Sequence, residues 1–135
     1  MANTLFDFAR QRFLEAQINW MTDTIKVFLV STSAYTPQTA VHQYLSDIPP
    51  SGRIAGPVTL TAKATTGGAA DAADCTFTAV SGATINAIVI CKDTGTEATS
   101  PLIAYIDTAT GLPITPNGGD IIVTWDNGID CRLAA

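Results

Sequence analysis

A succession of short apolar segments, separated by turn-forming residues, is the feature that most restricts how this chain can fold. A first segment, TIKVFLV at residues 24–30, is largely apolar on both of its faces, as in a strand that is covered on each side. Later segments recur at intervals of roughly ten to eighteen residues, and no helical period recurs after residue 50. These later segments are VTLTAKAT (58–65), CTFTAV (75–80), TINAIVICKD (84–93), PLIAYID (101–107) and DIIVTW (120–125). The pattern predicts a mainly β fold, an antiparallel β-sandwich or jelly-roll-like domain.

The N-terminal residues show a different period, which predicts a short helix ahead of the β domain. Residues 4–16 carry apolar side chains at the spacing of one helix face: Leu5, Phe6, Ala9, Phe13 and Leu14. Either Asn3 or Thr4 can cap this helix, and Asp7 lies in its first turn, where a carboxylate suits the helix dipole. We therefore expect an N-terminal helix or arm over 1–20 and a single β domain over 21–135. The helix packs either on its own domain or on a neighbouring subunit.

Two long connections interrupt the strands. Residues 31–57 form an irregular stretch that is rich in Pro and Gly, within which AVHQYLSDI can form a short helical turn. Residues 108–119 connect the last two apolar segments, and we expect these segments to form a stiff hairpin. In that connection Gly118 and Gly119 suit backbone positions with φ above zero. The sequence DNG at 126–128 predicts a final tight turn.

Composition and charge exclude several kinds of partner. Only 14% of the residues are charged, the net charge at pH 7 is −5 and the pI is near 4.4. Such a chain lacks the basic surface that attracts nucleic acid or anionic lipid, so we expect no direct binding to nucleic acid and no membrane partner. The N-terminus lacks the apolar core of a signal peptide, and the apolar run AIVIC at 87–91 is too short to span a bilayer. We expect a soluble protein made in a cytoplasm.

The residues that usually carry catalysis or bind metals are few and far apart. Cys75, Cys91 and Cys131 are odd in number and show no CxxC spacing, so neither a disulfide framework nor a zinc site is indicated. We expect reduced thiols, buried at the first two positions. His42 is the single histidine, which leaves few candidates for a hydrolase dyad or a transition-metal site.

Acidic and amide groups concentrate near the C-terminus, where they suit turns better than a metal. Their spacing matches no EF-hand, which favours turn-forming and capping roles over calcium binding. The group comprises Asp107, Asn117, Asp120, Asp126 and Asp130. The glycine pairs of the chain also lack the GKS or GKT of a phosphate-binding loop. We therefore predict no catalytic residues, no cofactor and no metal, and we do not expect an enzyme.

Three sequence patterns extend over most of the chain. They are DTIKV followed by YT and HQYLSDI, then KDTG with SPLIAYID, and last GLPITPNGGDIIVTWDNG. Together they resemble a family of small structural proteins of tailed bacteriophages. The resemblance implies a virion protein that acts in particle assembly, and we expect a capsid decoration (cement) protein that stabilises the head by binding the major capsid protein. The alternatives are a neck, tail or fibre-associated structural protein, or a receptor-binding module.

A decoration protein lies where several capsid subunits meet, and closed symmetry at such a point predicts self-association as a homotrimer. The expected contact elements are the N-terminal helix and the 31–57 stretch. Their candidate interface residues are Phe6, Phe13, Leu14, Tyr35, His42 and Tyr44. In the competing interpretation, residues 31–57 and 108–119 bind a glycan or protein receptor, with Trp20, Tyr35 and Tyr44 as candidate contacts.

Overall fold

The computed structural model of the chain describes residues 4–66, 69–107, 112–123 and 129–130. Within these residues lie one α-helix, α1 (Asp7–Leu14), and short 3₁₀ helices at Leu45–Asp47, Pro50–Gly52 and Glu97–Thr99. The strands are, in chain order, β1 (Thr4–Leu5), β2 (Ile25–Val30), β3 (Arg53–Thr59), β4 (Ala64–Thr66), β5 (Ala69–Asp71), β6 (Cys75–Phe77), β7 (Ala87–Lys92), β8 (Leu102–Ile106), β9 (Ile121–Val123) and β10 (Ile129–Asp130). The prediction of a mainly β fold with antiparallel sheets and a short N-terminal helix is confirmed.

The core is built on a five-stranded antiparallel sheet with the strand order β1-β8-β7-β2-β3. All residues of β2 except Lys26 are buried, and β7 is buried from Ala87 to Cys91. Because successive side chains of a strand point to opposite faces, this continuous burial means that both faces of the sheet are covered at its centre. The prediction of a strand at 24–30 that is covered on both sides is thus confirmed.

A two-stranded sheet packs on the edge of the central one. β6 pairs with β9 antiparallel, with Cys75 opposite Val123. Cys75, Phe77 and Val123 belong to the same buried core as the central strands, whereas Thr76 and Ile122 are exposed. This alternation directs one face of the small sheet to the core, and β6 contacts β3. A further antiparallel sheet has the strand order β10-β5-β4.

The expected hairpin between the segments at 101–107 and 120–125 is not formed. β8 pairs with β7 and β1 in the five-stranded sheet, whereas β9 pairs with β6 in the small sheet. The burial of the two strands explains the separation. β8 is buried from Leu102 to Tyr105, which suits a sheet that is covered on both faces. In β9 an exposed residue lies between two less exposed ones, which suits a sheet with one solvent-exposed face.

The strand predicted at 58–65 is divided and begins earlier than expected. β3 starts at Arg53, inside the stretch predicted to be irregular, and β4 follows after a break in which Ala62 has a φ of 51°. The pairing of β3 with β2 contains register shifts, and β3 is an edge strand of its sheet. Irregular pairing at an edge accommodates Gly56 and Pro57, which belong to the Pro- and Gly-rich stretch predicted to be irregular.

The N-terminal segment is joined to the sheet before its helix begins. Thr4 and Leu5 form β1 and pair with β8, so Thr4 is not the predicted helix cap, and Asn3 lies outside the described residues. The N-cap position of α1 is Phe6, which provides no side-chain hydrogen bond. The Phe6 N–H instead donates to the Ile103 carbonyl at 2.9 Å. The predicted helix is confirmed in a shorter form, and it packs on its own domain against β8.

Candidate interface between the N-terminal helix and the 38–47 segment

The six predicted interface residues fall into three groups by exposure. Phe6 and Tyr35 are core residues with 0% and 2% of their surface exposed. Leu14 is 84% exposed, and Phe13, His42 and Tyr44 are half-buried. A fully buried side chain presents no area to a partner, which narrows the candidate contacts to the last four residues.

Residues 38–47 are fastened to both ends of α1, and the two elements together are called the helix–segment surface below. At the start of the helix the Asp7 N–H donates to the Thr39 carbonyl at 2.9 Å. At its last turn the Arg12 Nη2 donates to the Gln43 Oε1 at 3.0 Å and to the Tyr44 hydroxyl at 2.9 Å. These hydrogen bonds couple the position of the helix to that of the segment beside it.

Arg12 is held by neutral groups. Its guanidinium carbon lies 4.9 Å from the ring centroid of Tyr44 and 5.9 Å from that of Phe8, distances at which a cation is attracted to an aromatic face. Among the described residues Arg12 forms no ion pair, and its buried Nη1 has no hydrogen-bond partner there. The positive charge of Arg12 is therefore not neutralised by a carboxylate within this part of the chain.

His42 is used as a structural partner of a buried tyrosine. The Tyr35 hydroxyl and the His42 Nδ1 are 3.0 Å apart, and the two rings lie 5.4 Å apart at a tilt of 31°. Burial, with smaller contributions from Tyr105 and Asp47, raises the pKa of Tyr35 well above its usual range. The hydroxyl therefore stays protonated at neutral pH. The hydrogen bond described for the His42 ring therefore joins it to a buried, protonated phenol.

The Asp47 carboxylate stabilises the C-terminal end of the 38–47 segment. Its Oδ2 accepts hydrogen bonds from the Gln43 N–H at 2.8 Å and the Tyr44 N–H at 3.1 Å. Burial by itself raises the pKa of Asp47, but the donations from Tyr44 and Gln43, together with the nearby His42, outweigh it and lower the pKa. The carboxylate is thus ionised at neutral pH and fixes the turn that positions Tyr44.

Exposed apolar side chains are present on this surface and elsewhere. Leu14 shares the solvent face of α1 with Asp7 and Gln11, as expected for residues three and four positions apart. Val41 is 61% exposed in the segment, and sequence reasoning did not single it out. Met21 and Ile122, at 50% and 61%, are exposed outside the surface. Such positions cannot be told from core positions by residue type alone.

A separate cleft of about 310 Å³ lies over β2 and β3. Its charges are paired: Lys26 with Asp93 at 3.0 Å, and Arg53 with Glu97 at 2.9 Å. Cys91 lines the cleft, and burial, aided by Asp93, raises the pKa of its thiol to about 12. A thiol that stays protonated and charges that are already paired provide neither a nucleophile nor a free anion site.

The described residues include two of the three cysteines and some of the acidic residues that were considered as metal ligands. Cys75 and Cys91 are buried, reduced thiols, as predicted, and Cys131 lies outside the described residues. No group of three or more His, Cys, Asp or Glu residues that could hold a metal occurs among them. Asn117 has the predicted turn role, since its Oδ1 accepts from the Gly119 N–H at 3.0 Å. The Asp120 Oδ1 instead accepts from the distant Ala79 N–H at 3.1 Å. The turn at 126–128 is outside the described residues.

Comparison with known proteins gives no family assignment. No protein-family model matches the chain, and no curated protein matches its sequence. Within the described residues, no helix has the length and apolar character required to cross a membrane. The function is therefore inferred from the residues of this chain and from their arrangement.

Proposed function

We propose that this protein is a structural component of a tailed-phage virion, a capsid decoration protein that stabilises the head. The resemblance of three sequence patterns, ending in GLPITPNGGDIIVTWDNG, to phage structural proteins supports this. The β fold with its continuous core is compatible with such a role, because a decoration protein needs a rigid body rather than a reaction site. The protein acts in the virion after synthesis in the host cytoplasm, and it acts without a cofactor.

The observation that carries the proposal within the fold is the helix–segment surface. The Asp7–Thr39 backbone hydrogen bond and the Arg12–Tyr44 side-chain hydrogen bond hold its two elements together, which reduces the conformational freedom lost when a partner binds. Leu14 and Val41 provide exposed apolar area. Tyr and Arg are the residue types that most often dominate binding energy in protein interfaces. A preformed surface of this composition favours protein partners over small molecules.

The partners that fit are the major capsid protein and further copies of this chain. Closed symmetry where capsid subunits meet favours a homotrimer at a three-fold position. Only 14% of the residues are charged, so attachment depends mainly on buried apolar area and hydrogen bonds. Such contacts are weakened little by added salt, whereas ion-paired contacts are screened.

The test is co-sedimentation of the purified protein with empty capsids that lack it, at low and at high salt, with the mass of the free protein measured by light scattering. We expect saturable binding that changes little with salt, and a trimeric mass. Leu14→Glu should weaken binding at least about tenfold, because it places a charge in an apolar contact. Met21→Glu, on an exposed residue outside the surface, is the matched control.

Two negative outcomes have different meanings. A protein that is monomeric and never sediments with capsids would contradict the decoration role. That result would favour a role in the neck or the tail, or as a receptor-binding module. Binding that is equal in wild type, Leu14→Glu and Met21→Glu keeps the decoration role but shows that another surface makes the contact. Circular dichroism of each variant verifies that the fold is retained.

A further inference from the structure

The loop at 117–120 contains an Asn–Gly pair, Asn117–Gly118. In such a pair the backbone nitrogen of the glycine can attack the side-chain amide carbon of the asparagine, and Asn is among the thermolabile residues for this reason. Glycine favours the reaction because it has no side chain to obstruct the attack. Asn117 and Gly118 are both exposed, so water has access to the pair.

The reacting nitrogen is engaged in the folded protein. The Gly118 N–H donates to the Val80 carbonyl at 2.8 Å, and the Val80 N–H donates to the Gly119 carbonyl at 3.0 Å. This reciprocal pair ties the loop to the chain just after β6. Val80 itself is 3% exposed, so the loop is anchored to a core residue.

The electrophilic side chain is held as well. The Asn117 Oδ1 accepts from the Gly119 N–H at 3.0 Å. Next to it, the Asp120 Oδ1 accepts from the Ala79 N–H at 3.1 Å, which adds a further link between the loop and residues 79–80. Gly118 has a φ of 87°, a left-handed conformation that glycine adopts at little cost. Attack by the Gly118 nitrogen therefore requires the loop to leave its docked position.

We propose that Asn117 is a site of spontaneous deamidation whose rate is controlled by local opening of the 117–120 loop from residues 79–80. On opening, the Gly118 nitrogen loses its proton to solvent base and bonds to the Asn117 Cγ. The Cγ–Nδ2 bond then breaks, and Nδ2 takes a proton from solvent and leaves as ammonia. Water then opens the succinimide at either carbonyl. The products are Asp, or isoaspartate with the main chain routed through the former side chain.

The two products have different consequences for the fold. An Asp at 117 keeps an oxygen that can accept from the Gly119 N–H. An isoaspartate adds a carbon to the main chain between 117 and 118, so the Gly118 N–H and the Asn117 oxygen cannot both keep their present positions. Conversion to isoaspartate therefore turns a docked loop into one that does not reclose. The inference does not depend on the proposed function.

The experiment follows deamidation by peptide mapping with mass spectrometry at pH 8 and 37 °C, in buffer and in concentrated urea. The sequence contains a second Asn–Gly pair, at Asn127, which serves as an internal reference in urea. We expect both sites to react at similar rates in urea, and Asn117 to react at least about tenfold more slowly in the folded protein than in urea. Equal rates at Asn117 in the two conditions would overturn the proposal.

Two variants test the role of docking. Asp120→Ala removes the acceptor of the Ala79 N–H, and loss of a single hydrogen bond should raise the folded-state rate at Asn117 about fivefold. Asp74→Ala removes a different exposed carboxylate and should leave the rate unchanged. Thermal melts confirm that both variants are folded. A rate at Asn117 that is the same in Asp120→Ala and wild type contradicts control by docking, as does an equal increase in both variants.

Discussion

The Arg12 guanidinium donates to the Tyr44 hydroxyl at 2.9 Å while its central carbon lies 4.9 Å from the centre of the Tyr44 ring. Arg12 thus contacts both the hydroxyl and the ring of Tyr44, which lies 32 positions away in sequence. The contact joins the last turn of α1 to the segment that contains two of the predicted interface residues. The shape of the helix–segment surface therefore depends on a cation that no described carboxylate neutralises.

Removal of this contact should loosen the helix–segment surface. Arg12→Ala leaves the Tyr44 hydroxyl without its donor and removes the stacking, so we expect a loss of about 1–3 kcal/mol in the free energy of unfolding. Tyr44→Phe keeps the ring and should cost about 1 kcal/mol or less. Gln11→Ala, one position away on the exposed face, is the control. Urea denaturation measures the changes, and an Arg12→Ala variant as stable as Gln11→Ala would contradict the role assigned to Arg12.

Truncation to alanine should reduce stability strongly at Phe6 and hardly at all at Leu14. Phe6 is 0% exposed and lies in the core, so Phe6→Ala should cost about 3–5 kcal/mol of stability. Leu14 is 84% exposed, so Leu14→Ala should change stability by no more than about 0.5 kcal/mol. Thermal and urea unfolding of the two variants test this. Similar losses in both would show that Leu14 is covered in the protein in solution.

The contrast between these two residues shows what an amphipathic pattern can and cannot predict. The spacing of apolar residues correctly predicted a helix near the N-terminus. It did not separate Phe6, which precedes α1 and enters the core, from Leu14, which lies on the solvent face. The reason is that the helix begins at Asp7, after two residues that pair with β8. A strand formed by distant partners leaves no local signal in the sequence.

Strand pairing shows the same limit. The positions of β2, β7 and β8 follow from their apolar runs, because burial on both faces requires residues that are apolar throughout. The partner of β9 does not follow, since β6 is separated from it by β7 and β8 along the chain. In the helix–segment surface, the sequence pointed to Tyr44 and His42 as candidate contacts, and it did not point to Arg12. A charged residue on a helix gives no indication of the aromatic ring that it will contact.

Asp47 should make stability depend on acid pH. Its pKa in the folded protein is below the ordinary value of 3.8, since burial, which raises it, is outweighed by the donations from Tyr44 and Gln43 together with the nearby His42. The ionised form therefore stabilises the fold above the unfolded pKa, and this stability is lost as the pH falls through the lower, folded pKa. Asp47→Asn should show a smaller drop in urea midpoint between pH 6 and pH 2.5 than wild type does. An identical drop would contradict the assignment.

The Cys91 thiol should be unreactive while the protein is folded. Burial, aided by the Asp93 carboxylate, raises its pKa to about 12, so at pH 8 the thiolate is on the order of one part in ten thousand. Alkylation with iodoacetamide followed by peptide mass mapping should modify Cys91 fully in urea and hardly at all in buffer. Rapid labelling in buffer would mean that the sheet opens around β7 on the timescale of the reaction.

Two glycines with similar backbone angles should tolerate alanine very differently. Gly56 and Gly95 have φ values of 108° and 90°, so a substitution at either is strained by a comparable amount. Their surroundings differ: a Cβ on Gly56 would lie 2.6 Å from the Val27 carbonyl oxygen, whereas a Cβ on Gly95 would meet nothing within 4 Å.

Backbone strain alone should therefore limit the cost of Gly95→Ala to about 1–2 kcal/mol. Gly56→Ala adds a clash with the main chain of β2, which cannot rotate away as a side chain can, and β3 must separate from β2 locally to relieve it. We expect Gly56→Ala to lose at least about 2 kcal/mol more than Gly95→Ala in urea denaturation, and to weaken amide protection in β3. Equal stability of the two variants would mean that β3 does not approach β2 as closely at Gly56 as the structure has it.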